Sequence, residues 1–182
     1  LVDEWNNVQL FAFVTYPLFG FIRLFQDSNE GIVLMFRIVY LVFQVLVSLY
    51  CFWRMKEYGW VRILPCLFYF VTTPYNINGL SYNTLAFGFL LLSLVTLACT
   101  KKPAFHDFFL TGIFTAGAVL ANPYTVLLFV IYGLVCAAAF FYYRRQWVDA
   151  PSVLWIRNYL FACLGAFFIF VLFMLFVFSR GT

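Results

Sequence analysis

The chain alternates long apolar runs with short polar breaks, and the runs set the elements. Ile32–Trp53 carries a charged or amide side chain only at Arg37 and Gln44. Leu85–Cys99, Tyr124–Tyr143 and Tyr159–Phe178 are apolar in the same continuous way. A hydrocarbon core is crossed by roughly 20 apolar residues in a helix, so these runs predict spanning helices. Val61–Thr73, containing Pro65, and Phe108–Leu120 are shorter and sit at the margin of a full crossing. Val8–Phe25 is broken by Gln9, Pro17, Gly20 and Arg23, which predicts two short juxtamembrane helices separated near Pro17. Membrane strands would alternate apolar and polar positions; a run such as Val171–Phe178 does not. The predicted fold is all-α: a multipass transmembrane helical bundle with short juxtamembrane helices near the N-terminus. Residues 1–31 form an acidic segment and 32–182 the bundle.

The breaks between runs are of two kinds. Arg54–Arg62, Lys101–Asp107 and Arg144–Arg157 hold nearly all the Lys and Arg, the last as a polar linker. Pro74–Tyr82 and Ala121–Tyr124 hold none, and the segment before Ile32 carries Asp3, Glu4, Asp27 and Glu30 against Arg23. Basic residues collect in cytoplasmic loops. The cell membrane is therefore the expected location, with the acidic N-terminal segment on the non-cytoplasmic side. Asp27-Ser28-Asn29-Glu30-Gly31 is either a loop or a helix start capped by Ser28 or Asn29.

Composition agrees. Of 182 residues, 65% are hydrophobic and 10% charged, against about 25% charged in soluble domains. The net charge of +4 forms no basic stripe, so nucleic acid is excluded as a partner and membrane lipids are expected. The five cysteines lie singly in apolar runs, without metal spacing, and are read as small buried side chains. Gly112 and Ala116, four apart, predict a close helix–helix approach. Trp5, Trp60, Trp147 and Trp155 fall near the expected interfaces. The ending, directly after an apolar run, suggests a piece of a longer protein.

Candidate chemistry lies among the polar residues of the outer side. An ionised carboxylate there can take a proton from an attacking hydroxyl, which makes Asp3 the candidate base and Glu4 its substitute. A solvated charge at a frayed terminus is the competing account. Arg37 lies one to two turns below the outer surface; a cation at that depth has a partner or a task. It either neutralises a lipid phosphate or snorkels outward to Glu30 or Asp27. Tyr82, Asn83 and Asn122 are candidate substrate-binding residues. His106 is read as a solvated loop residue beside Asp107. No metal cluster, phosphate loop or Ser/His/Asp set is visible, so a divalent metal or other cofactor stays unassigned.

The order of these features resembles the C-type polytopic glycosyltransferases, which include protein O-mannosyltransferases and aminoarabinose transferases. Asp3-Glu4-Trp5, Tyr16-Pro17-Leu18, Phe36-Arg37-Ile38-Val39, Leu80-Ser81-Tyr82-Asn83-Thr84-Leu85 and Ala121-Asn122-Pro123 follow that order. The spanning helix expected before Asp3 and an external C-terminal domain are not in the sequence. The resemblance implies transfer of a sugar from a polyprenyl-phosphate donor to an acceptor at the outer membrane face. Asp3 would be the catalytic acid-base group and Arg37 would hold the phosphate charge. The alternative is a multipass transporter or flippase, for which interrupted segments such as Val61–Thr73 are the cue. Transport predicts polar groups near mid-membrane, and apart from Gln44 the helices offer almost none.

Overall fold

The computed structural model describes residues 10–25, 29–72, 79–100, 104–145 and 149–180. Seven α-helices account for most of them: α1 (Leu10–Arg23), α2 (Asn29–Arg54), α3 (Ile63–Val71), α4 (Tyr82–Ala98), α5 (Phe105–Ala121), α6 (Val126–Arg145) and α7 (Asp149–Arg180). No strand occurs among the described residues. The stretches Gly31–Arg54, Pro123–Tyr143 and Leu154–Ser179 are long and apolar enough to cross a membrane. Helices α4 and α5, at 17 residues each, are about 25 Å long at 1.5 Å per residue. The expected all-α multipass bundle is what the chain forms.

Two expected boundaries move. α1 is one continuous helix with Pro17 inside it, not two helices broken there. A proline removes a single backbone donor, and packing holds the segment together: Phe19 stacks on Phe36 of α2 and Tyr16 meets Phe176 of α7 edge-on. The expected polar linker up to Arg157 is also mostly helix, because α7 already begins at Asp149. Pro151 sits in the first turn, where a missing N–H costs no intrahelical bond. Helix α2 starts at Asn29, as one of the two expectations had it.

Pairings between helices fix their directions. Phe43–Phe89 and Tyr50–Thr96 join α2 to α4, and Arg54–Thr100 joins α2 to the residue two past the end of α4, all at a constant sequence offset, so these two helices run parallel. The chain must therefore return between them. It does so through a 3₁₀ segment, Lys56–Arg62, in which Gly59 adopts φ +55°, and then through α3. With 9 residues and a length of about 14 Å, α3 crosses only part of the way. α4 and α5 form an antiparallel hairpin, as Ser93–Thr115 near its middle and Asn83–Asn122 at its open end show.

α5 sits at the centre, against α4 on one side and α7 on the other. A Cβ on Gly112 would collide with the Ala162 carbonyl oxygen, and one on Gly165 with the Phe109 carbonyl oxygen. Ala116 and Ala166 line one cavity a turn further along. Both helices thus place small residues at four-residue spacing on the shared face, and their backbones touch. This is the close approach that Gly112 and Ala116 predicted. α6 runs antiparallel to α7, with the Tyr159 ring filling the notch left by Gly133.

Four threonine hydroxyls in this apolar setting bond to the backbone of their own helix. Thr96, Thr100, Thr111 and Thr115 each donate to the carbonyl four residues back, at 2.6–2.8 Å. Without water, the backbone is the nearest acceptor. Ser93–Thr115 at 2.8 Å and Tyr50–Thr96 at 2.7 Å then tie neighbouring helices together.

Candidate functional site

The first turn of α4 is built by local chemistry. Ser81 is extended and accepts from the Thr84 backbone N–H at 3.2 Å, while the Ser81 N–H donates to Thr84 Oγ1 at 2.8 Å. This reciprocal capping box satisfies two donors of the helix start. The Thr84 hydroxyl also lies 2.9 Å from the Gly79 carbonyl oxygen, tying down the incoming turn. A Cβ on Gly79 would stand 3.8 Å from Arg37 Cγ, so the turn lies along the Arg37 stem.

With that turn fixed, Asn83 faces the end of α5. Asn122 Nδ2 donates to Asn83 Oδ1 at 3.2 Å, and Asn122 Oδ1 accepts from the Tyr124 N–H at 3.2 Å. The Asn122 amide is thereby engaged at both ends and its plane is set. Tyr82 and Tyr124 are exposed beside this pair, and Arg37 is exposed on α2. Two candidate substrate-binding residues, Asn83 and Asn122, are therefore brought into direct contact. Arg37 joins the same end through the Gly79 turn. Phe36, next to Arg37, carries α1 across that end through Phe19. Asp3 and Glu4 lie outside the described residues. What the described residues offer here is a cation, amides and phenols, suited to hold a phosphate or sugar hydroxyls.

The opposite end holds a site that the sequence did not reveal. Arg54, the last residue of α2, pairs with Asp107 in the first turn of α5. Its Nη2 also lies 3.5 Å from Thr100 Oγ1. His106 Nε2 stands 3.4 Å from the Asp107 carboxylate, with its side chain largely exposed. His106 belongs to α5 and is not a free loop residue; Asp107 beside it is buried. A cavity of about 390 Å³ opens between Arg54, Lys56, Tyr58, Cys99 and His106. Cys99 stands just past the end of α4. Burial pushes its thiol up from the ordinary value; Arg54 opposes that shift and Glu57 adds to it. Asp107 at a helix N-terminus is favourably placed against the helix dipole. That placement was the one signal in the sequence; the identity of its cation was not there to read.

Among the described residues, no three His, Cys, Asp or Glu side chains gather as a metal site. The chain matches no family model, no curated protein and no solved structure.

Proposed function

We propose that this chain is the membrane portion of a glycosyltransferase that moves a sugar from a polyprenyl-phosphate donor to an acceptor at the non-cytoplasmic face. The observation that supports it is the Asn122–Asn83 bond at the end of the bundle where Arg37 is exposed. An Arg–phosphate contact is a strong charge-assisted interaction, and the fixed amides supply direction for sugar hydroxyls. Asp3, with Glu4 as substitute, takes the proton from the acceptor. The acceptor oxygen or nitrogen then bonds to the anomeric carbon, and the lipid phosphate leaves with the former bonding pair.

The test uses the complete gene product in liposomes with a mixture of polyprenyl-phosphate sugars. Sugar release by the parent, its loss in Asp3→Asn and a raised donor KM in Arg37→Gln are the expected results. Release that persists unchanged in Asp3→Asn removes that base. No release from the parent with any donor removes the proposal.

A transporter or flippase is the second reading, and one observation favours it. Tyr40, Gln44 and Ser48 recur at four-residue spacing on α2, and all are buried, as is Tyr69 of α3. Among the described residues, Tyr40 Oη, Ser48 Oγ and Tyr69 Oη have no hydrogen-bond partner. The interior of this wedge is more polar than Gln44 alone suggested. A flux assay on the same liposomes separates the two readings.

A further inference from the structure

Between α2 and α3 the chain turns back through Lys56–Arg62, and no residue of this segment is buried. Gly59, at φ +55° and ψ −129°, breaks it into two short turns. Trp60 is 86% exposed and Tyr58 47%, so packing within the bundle accounts for neither ring. Val61 and Leu64, just beyond the kink, are exposed as well. The apolar stretch of α2 ends at Arg54, which puts the segment at the level where the headgroups of a bilayer begin. Rings with an apolar body and a polar edge favour that level.

The same segment carries cations that its neighbours leave unpaired. The Arg62 guanidinium lies over the Phe52 ring of α2, 3.9 Å from the ring centre. Contact with a ring face holds a guanidinium in place without cancelling its charge. Among the described residues, the side chains of Arg62 and Lys56 make no hydrogen bond and no ion pair. Arg54, by contrast, is paired with Asp107. Glu57 is the single acid of the segment, against Lys56 and Arg62. A guanidinium offers five N–H donors in a planar fork, and phosphate oxygens match that fork in both charge and shape.

We propose that Lys56–Arg62 is a docking surface for anionic phospholipid. Arg62 and Lys56 hold headgroup phosphates, and Trp60 and Tyr58 seat between the headgroups. An anionic headgroup is favoured over a zwitterionic one because the latter brings its own cation beside the phosphate. The surface lies at the opposite end of the bundle from Asn83 and Asn122 and does not rest on the sugar-transfer proposal.

Hydrogen–deuterium exchange of the full chain in nanodiscs tests this, with phosphatidylcholine alone or with increasing phosphatidylglycerol. The expected result is protection of peptides covering residues 56–62 that saturates with phosphatidylglycerol and weakens in high salt. Arg62→Gln should raise the phosphatidylglycerol needed for half-maximal protection about fivefold, the effect of one basic side chain near an anionic surface. Lys56→Gln should act in the same direction. Arg62→Lys keeps the charge and loses the fork, so it should fall between the parent and Arg62→Gln. Arg144→Gln removes a charge at the end of α6 and should leave the protection unchanged. Equal exchange in the two lipid compositions overturns the proposal. Equal loss in Arg62→Gln and Arg144→Gln shows a diffuse basic surface and overturns it too. Protection by inorganic phosphate in phosphatidylcholine discs shows a site for a free anion and removes the lipid as occupant. If Arg62→Gln does not fold, Lys56→Gln and Arg62→Lys carry the same comparison with the parent.

Discussion

Gly112 lies so close to the carbonyl of Ala162 that no side-chain carbon fits between them. The neighbour is backbone and not a flexible side chain, so it cannot swing away. Gly112→Ala is expected to destabilise the bundle by about 1–3 kcal/mol, the usual cost of overpacking. Thermal unfolding in detergent checks this, with Gly20→Ala as the contrast. Gly20 sits inside α1, and a Cβ added to it would meet nothing within 4 Å. There the same substitution should stabilise by about 0.5–1 kcal/mol.

The Arg54–Asp107 pair holds α2 against the α4–α5 hairpin. Both side chains are mostly buried. Asp107→Ala leaves the Arg54 charge uncompensated and should cost about 3–5 kcal/mol. The double change Arg54→Met with Asp107→Leu should recover most of that loss. A double-mutant cycle on unfolding free energy measures it; additive losses would mean that the pair is not coupled.

Cys99 gives a pH-dependent reading of the same region. Its thiol is pushed up by burial, so thiolate is scarce near neutral pH. Alkylation by a maleimide should be slower than for a free thiol and keep rising at pH values where a free thiol has levelled off. Glu57→Gln removes a charge that raises the pKa and should speed labelling. Arg54→Met removes one that lowers it and should slow labelling. Opposite responses of the two variants are the decisive outcome.

The Ser93–Thr115 bond crosses between α4 and α5 in the bundle interior. Interhelical hydroxyl bonds in membranes average about 0.6 kcal/mol. Thr115→Val should therefore cost on the order of 1 kcal/mol, with little further loss on adding Ser93→Ala. Denaturant-induced unfolding of the single and double variants checks the shared loss.

Much of the bundle is determined by the sequence alone. Continuous apolar runs require helices, since a backbone in hydrocarbon must pair within its own segment. The spans in α2, α6 and α7 follow from run length, whereas the apolar run beginning at Leu85 placed the α4 start three residues late, because the Ser81–Thr84 capping box extends the helix back to Tyr82. The Gly112/Ala116 spacing announced a close contact without saying which helix would fill it. Proline and polar character misplaced two boundaries, at Pro17 and before Arg157, because local propensity yields to packing and to helix continuation. Only the tertiary structure decided that α2 and α4 run parallel, that Asn83 meets Asn122, and that Arg54 finds Asp107. Those outcomes depend on how each helix is rotated about its axis. That rotation is set by which backbones can touch, as α5 and α7 do at Gly112 and Gly165. It is a property of pairs of helices, and no single apolar run carries it.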